Sequence, residues 1–321
     1  MIDIAAVPSP IRGIQTIPID RRCLSHIYSM KRGNCMDSHF IVPRTAVDQL
    51  GEGPTWSPST GLVYWVDIVG QALNTLEVNT GEVRRLPMPE RIGWVVERRD
   101  RTNLLAGFKS GIVELALDPV TIRPFLTPEP DRPANRLNDA KVDAAGRLWF
   151  GSKHDADEAN TGALYRLDAD RRLTRADDGY AVTNGPTFSP DGRYLYHNDS
   201  GRRLVYRFPV AADGTLGTRD VLITFDDSWG YPDGMTTDVE GGLWIAHWGV
   251  GRISRFDPTG RLIRSYALPA TNITSCTFAG NGLDRLFVTS AAIDSPGGPY
   301  DGALFEIDPG VAGLAPTPCA I

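Results

Sequence analysis

One short pattern occurs four times in this chain, each time with an acidic or amide side chain at the same phase. The copies read Glu52-Gly-Pro-Thr-Trp-Ser57, Asn138-Asp-Ala-Lys-Val-Asp143, Asn184-Gly-Pro-Thr-Phe-Ser189 and Asp233-Gly-Met-Thr-Thr-Asp238. Eight or nine residues after each anchor stands a glycine (Gly61, Gly146, Gly192, Gly242), followed by an aromatic-rich stretch. Recurrence at constant phase constrains the fold more tightly than composition does. Each copy must be one supersecondary unit that buries its apolar face against its neighbours. In a closed array, equivalent positions face a common axis. Two carboxylates and two carboxamides meeting there form an all-oxygen cation site.

The rest of each unit reads as strands. After the glycine come Leu62-Val-Tyr-Trp-Val-Asp67, Arg147-Leu-Trp-Phe-Gly151, Arg193-Tyr-Leu-Tyr-His197 and Leu243-Trp-Ile-Ala-His247. Alternating segments follow, such as Gly162-Ala-Leu-Tyr-Arg-Leu-Asp168 and Arg252-Ile-Ser-Arg-Phe-Asp257, then Thr-Gly or Asp-Gly turns and a short last strand. Period-two alternation punctuated by such turns predicts hairpins. Two weaker copies begin near Ile92 and Thr274, so the phase points 52, 92, 138, 184, 233 and 274 are spaced by 40 to 49 residues. Six four-strand units at that period predict an all-β fold, a six-bladed β-propeller over residues 37–321 with a central metal site. A β-sandwich accounts for the strands but not for an anchor at one phase. The last unit lacks an outer strand after Ile307, and Phe40-Ile-Val-Pro-Arg-Thr-Ala-Val47 has strand character; it is expected to complete the sixth blade and close the ring.

Residues 1–36 carry no copy of the repeat. They hold three of the five methionines and five basic against two acidic residues, so the remainder of a chain of net charge −6 carries −9. That balance argues against a nucleic-acid surface. This segment is read as a disordered tail or a mis-called start, with translation beginning at Met36. It has no secretory apolar core, and no apolar run in the chain is long enough to span a bilayer, so a cytoplasmic location with no membrane partner is the default. Cys23, Cys35, Cys276 and Cys319 show no framework spacing, and disulfides are not expected.

Asn or Asp before Gly is by itself a turn signal, which covers Asn184 and Asp233 but not Glu52, since glutamate is a poor turn former. The cation reading explains all three, with Asn138 a fourth donor, direct or through water. Arg136 lies two residues before Asn138, where a guanidinium can bind an anion or polarise a carbonyl, or simply form a surface ion pair. His154, Asp155, His197, Asp199 and His247 fall at equivalent strand ends; for the histidines a structural role is the favoured reading. Trp149, Trp244 and Trp248 read as core or cavity wall. Nucleophile-elbow, P-loop, dinucleotide and zinc-ligand patterns are missing, which leaves metal-assisted chemistry.

At these residues the chain resembles the SMP-30/gluconolactonase family, also called regucalcin-like. Gly51-Glu52-Gly-Pro-Thr-Trp56, Asn135-Arg-Leu-Asn-Asp-Ala-Lys-Val-Asp143, Thr183-Asn184-Gly-Pro186 and Tyr231-Pro-Asp233-Gly-Met235 carry the likeness, over roughly Val47 to Ala315. Gly146-Arg-Leu-Trp-Phe-Gly-Ser-Lys-His-Asp155 and Tyr196-His-Asn-Asp-Ser200 look most like bacterial sugar lactonases of the xylonolactonase and arabinonolactonase type. The resemblance implies that Glu52, Asn184 and Asp233 hold one divalent cation, with Ca, Mg, Mn, Fe and Zn all admissible. It implies that Arg136 contacts a small sugar lactone, that Asn138 contacts that substrate or the metal, and that Asp233 is the general base. Asp155 is the nearest match to the family's acidic residue after the third-blade strand and is expected to join them in binding the substrate. The implied reaction is metal-dependent hydrolysis of an aldonolactone in carbohydrate catabolism, by a monomer or weak oligomer. A metal-bound Asp233 is expected to titrate low. Hydrolysis of other esters or organophosphates on the same site, and a calcium-binding propeller without turnover, are the alternatives.

Overall fold

The structure is a computed structural model that describes residues 39–99 and 103–321. Its strands form six four-stranded antiparallel sheets around one axis. Strand β1 (His39–Ile41) comes first, and blade one follows as β2 (Gly51–Ser57), β3 (Leu62–Asp67), β4 (Ala72–Glu77) and β5 (Val83–Pro87). Blade two is β6 (Ile92–Glu97), β7 (Leu104–Phe108), β8 (Gly111–Leu117) and β9 (Val120–Leu126); blade three is β10 (Asn135–Val142), β11 (Leu148–His154), β12 (Gly162–Leu167) and β13 (Leu173–Tyr180). Blade four is β14 (Thr183–Phe188), β15 (Tyr194–Asp199), β16 (Leu204–Pro209) and β17 (Asp220–Thr224); blade five is β18 (Tyr231–Thr237), β19 (Leu243–Trp248), β20 (Arg252–Phe256) and β21 (Leu262–Ala267). Blade six contains β22 (Asn272–Ala279), β23 (Arg285–Ala291) and β24 (Leu304–Ile307). All six phase points read from the sequence fall in the first, axis-facing strand of a blade.

The ring closes as the sequence predicts, with a shorter strand. β1 pairs antiparallel with β24, Phe40 opposite Glu306, which supplies the fourth strand of blade six. Pairing extends one bond further, from the Val42 amide to the Leu304 carbonyl, and stops at Pro43, which has no N–H to give. Asp48 then ties this segment to blade one: it accepts from Trp65 Nε1 at 2.8 Å and Asn74 Nδ2 at 3.1 Å, and pairs with Arg44 and Arg85. The proposed tail, residues 1–36, lies outside the described residues.

The residue five places after each anchor has a shared task. Asp238 Oδ1 accepts the amides of Glu240 and Gly242, while Oδ2 accepts Trp244 Nε1 and Arg255 Nε. Asp143 does the same for the next turn, Trp149 and Arg147. Ser57 and Ser189 fill this place in blades one and four; each accepts one backbone amide, from Thr60 and Tyr194, and donates to a carboxylate, Glu97 and Asp191. The glycine after the turn takes positive φ at Gly61, Gly146 and Gly192, whereas in blade five that role falls to Gly241 (φ 82°) and not Gly242.

Between blades the core is aromatic and aliphatic. Trp65, Trp94, Trp149 and Trp244 are fully buried, so Trp149 and Trp244 are core residues. His197 and His247 are interior too: His197 packs edge-on against Tyr180, and His247 stacks near Phe225 and Phe256. Burial pulls their pKa values down to about 3 and about 4, so both are neutral packing residues near pH 7. Cys276 and Cys319 are buried free thiols.

Candidate functional site

Each anchor sits where its strand breaks register. The β2–β3 ladder shifts between Glu52 and Thr55, β10–β11 between Leu137 and Ala140, β14–β15 between Asn184 and Thr187, and β18–β19 between Pro232 and Met235. Such a bulge bends the strand and re-aims one side chain, here from the blade interface toward the axis. Local sequence makes the bulges possible. Gly53 and Gly185 take positive φ directly after their anchors, and a Cβ on Gly234 would lie 2.2 Å from Ser275 Oγ. Blades two and six bulge at the same phase but offer Gly93 and Thr274. A Cβ on Gly93 would lie 2.6 Å from the Leu137 carbonyl, and Thr274 Oγ1 is turned to the Gly51 carbonyl and to Thr289.

Glu52, Asn138, Asn184 and Asp233 therefore line one cup at the axis, with a cavity of about 550 Å³ that also reaches Arg136, Lys153, Asp155 and Asp157. Glu52 Oε2 accepts the Gly53 amide at 2.8 Å and Asp233 Oδ1 the Gly234 amide at 3.1 Å. The two carboxyl groups lie within hydrogen-bonding reach of each other. Asn184 Nδ2 donates to Ser200 Oγ, and its Oδ1 accepts from Asn138 Nδ2 at 2.8 Å.

Electrostatically this pair is under strain. Burial raises Glu52 well above the usual carboxylate range, and the charges of Asp233 and Asp139 add to it. Burial, then Asp139, pushes Asp233 up to about 8. Arg136 and Lys153 oppose these shifts only through space. The low value anticipated for Asp233 thus depends on a positive charge that no protein side chain brings into contact. The oxygens of Glu52, Asn184 and Asp233 match what a hard divalent cation requires: two negative charges and a neutral carbonyl. Among the described residues no three His, Cys, Asp or Glu side chains gather as a metal cluster; the donors here are two carboxylates and amides.

The opposite wall is basic. Arg136 is buried, donates to Asn138 Oδ1 at 2.5 Å and pairs through Nε with Asp155 at 3.2 Å. Asp155 also binds Arg91 and Lys109. Burial pushes the Asp155 carboxyl up, but Lys109, Arg136 and Arg91 together hold it below the ordinary value. Its oxygens are committed to these cations, so it acts on the cup by fixing Arg136. His154 faces its own loop, Nδ1 accepting from Ala156 and Glu158, and Asp199 is buried on the Ala181 and Val182 amides. Trp248 lines the rim of the cup.

Three side chains here carried no signal that the repeat could supply. Lys153 and Asp157 flank the cup from β11 and its following loop. Asp139, next to Asn138, faces a second cavity of about 420 Å³ that approaches the axis from the other mouth. Burial raises Asp139 to about 7.

Comparison with known proteins agrees with this architecture. The family model described as SMP-30/Gluconolactonase/LRE-like region matches residues 50–292. The chain is 33% identical over 272 residues to a 6-deoxy-6-sulfogluconolactonase of Pseudomonas putida, covering 83% of this chain and 93% of that protein. It is 35% identical over 268 residues to an L-arabinolactonase of Azospirillum brasilense, covering 83% and 87%. Among solved structures, a calcium-binding regucalcin from Agrobacterium tumefaciens superposes with a TM-score of 0.82 at 28% identity, over 88% of this chain and 97% of that one. By the extent of these matches and its six bulged inner strands, the chain belongs to the SMP-30/gluconolactonase/LRE-like family.

Proposed function

We propose that this protein hydrolyses a sugar lactone to the open-chain sugar acid in carbohydrate catabolism, using a divalent cation held by Glu52, Asn184 and Asp233. The observation that carries the reading is the cup itself, with two mutually repelling buried carboxylates facing a wall of Arg136 and Asn138. Lactonase names among the curated relatives supply the substrate class.

When bound, the cation would polarise the lactone carbonyl and acidify water. Asp233 accepts the proton of the attacking water. Arg136, held by Asp155, and Asn138, held by Arg136 and Asn184, orient the carbonyl and ring hydroxyls, which lowers the entropic part of the barrier. The anchors are almost wholly buried at the floor of the cup, which limits bulk solvent around the reacting carbonyl.

A pH-indicator assay over five- and six-membered aldonolactones tests this, using chelator-stripped protein resupplied with single cations. Turnover of at least one lactone, lost on chelation and restored by a cation, is the expected result. Failure of every lactone with every cation overturns the proposal. The regucalcin likeness favours a second reading, cation binding without turnover, which that same failure would leave standing.

The two raised carboxylates make stability depend on pH. Their folded pKa values lie above the unfolded ones, Asp233 near about 8 against 3.8. Stability from holding the Asp233 proton is complete below its unfolded value and is lost as pH rises through about 8, and the raised Glu52 acts in the same direction. Metal-stripped protein should therefore lose melting temperature between weakly acidic pH and pH ~8. The increment that added Ca²⁺ restores should grow over the same interval. Scanning fluorimetry with and without Ca²⁺ checks this; an increment independent of pH contradicts it.

A further inference from the structure

Lys153 stands in the cup without a role in the reaction so far described. It is opposite Arg136 in the β10–β11 register, so the two cations share one face of blade three. Its side chain is 8% exposed and lines the same cavity as Glu52, Asn138, Asn184 and Asp233. Its bonding partner is Asp157, which takes it with both carboxylate oxygens at 2.6 and 2.7 Å. An ammonium has three donors, so at least one N–H is left for the cup. Asp157 itself is half exposed and holds a positive φ of 58° on the loop that follows β11, an uncommon conformation for a residue other than glycine.

A purely structural strut is a poor explanation for this arrangement. Burying an ammonium against a single, half-solvated carboxylate is unfavourable, and methionine fills the same volume without the charge. Blade three also stands two blades from blade one and two from blade five. Lys153 shares one cavity with the carboxylates Glu52 and Asp233, and Asp233 acts on its ammonium through space.

We infer that Lys153 is the general acid that protonates the ring oxygen as the lactone opens. The inference rests on the lactonase reading above. Water's oxygen bonds to the carbonyl carbon while its proton passes to Asp233. The tetrahedral adduct collapses by breaking the bond from that carbon to the ring oxygen. The electron pair goes to the ring oxygen, which takes a proton from Lys153 Nζ and leaves as a sugar hydroxyl. The new carboxylic acid then ionises. Of the two protons on Asp233 and the acid, one returns to Lys153 and one goes to solvent. A sugar alkoxide is far more basic than water at neutral pH, so a positioned donor is worth about 10²–10⁴-fold in rate. The charged groups around Lys153 suit the task. Burial and Arg136 lower its proton affinity below that of an ordinary lysine, while Asp157 and, across the cup, Asp233 work in the other direction.

The test is the pH dependence of kcat for lactone opening, with rates corrected for uncatalysed hydrolysis. Wild type should lose kcat on a basic limb set by Lys153. Lys153→Met should lower kcat at pH 7 at least about 100-fold with little change in KM, and should lose that limb. Asp157→Asn keeps the amine and removes its partner, so the limb should move to lower pH. This variant also guards against a folding failure of Lys153→Met. Lys153→Ala should be rescued by ethylammonium but not by tetramethylammonium, which has the charge without a proton. If Lys153→Met keeps the wild-type rate and limb, or if both ammonium ions rescue equally, Lys153 is not the acid while the lactonase reading stands. If wild type opens no lactone, both fall together.

Discussion

Asp233→Asn is expected to abolish lactone turnover at every concentration of added cation, a loss of about 10³-fold or more in kcat. The substitution is nearly isosteric, so the β18 bulge and the Gly234 contact should survive. What disappears is a negative charge and a proton acceptor together. Glu52→Gln removes only charge. Its turnover should also collapse at low cation but recover in part as cation is raised, because affinity depends on ligand charge and mass action can compensate. Arg136→Ala is the control: it should leave cation affinity unchanged and weaken catalysis through substrate handling. Steady-state kinetics run alongside cation titration separates the three. Near-normal turnover of Asp233→Asn at saturating cation would remove Asp233 as the base and require another proton acceptor.

Asp238→Ala should be the most damaging substitution outside the cup. This carboxylate satisfies two turn amides, the indole of a fully buried Trp244 and the guanidinium of Arg255. Truncation leaves two turn amides and a buried indole N–H without their acceptor and removes one of the two carboxylates that Arg255 pairs with, which costs about 3–5 kcal/mol. For a domain of this size that is a fall in melting temperature on the order of 10 °C. Asp191→Ala tests whether the effect is specific: it removes an exposed ion pair with Arg193 near the equivalent turn of blade four and should leave the melting temperature near wild type. Equal, small shifts for both variants would show that the buried Asp–Trp–Arg contacts contribute little to stability.

The repeat was legible because a blade must restate its turn and strand chemistry each time. Glu52, Asn138, Asn184 and Asp233 could be picked out by phase alone, and they do share one cup. The reason they share it was not legible. A bulge is a property of the ladder, and only the pairing of Glu52–Thr55 against β3, or of Pro232–Met235 against β19, reveals it. Gly53 and Gly234 were its traces in the sequence. The closing strand was correctly placed but too long, since Pro43 ends the pairing that His39 begins. Lys153 and Asp157 escaped notice because they occur once. A lysine in an alternating strand has no mark that separates a buried amine from a solvated one until its cross-strand neighbour, Arg136, is known. His197 and His247 sit at equivalent strand ends yet point into packing, so their shared phase reflected core construction and not chemistry.

If the bulged anchors make one cation site, calorimetric titration reads it without reference to turnover. Metal-stripped wild type titrated with Ca²⁺ or Mn²⁺ at pH ~7.5 should bind one ion per chain and release protons, since a cation must displace those held by the raised carboxylates. The Glu52→Gln, Asp233→Asn double variant should bind none at the same concentrations while keeping its fold. Binding undiminished in the double variant, or no binding by wild type, would show that these anchors do not form a cation site.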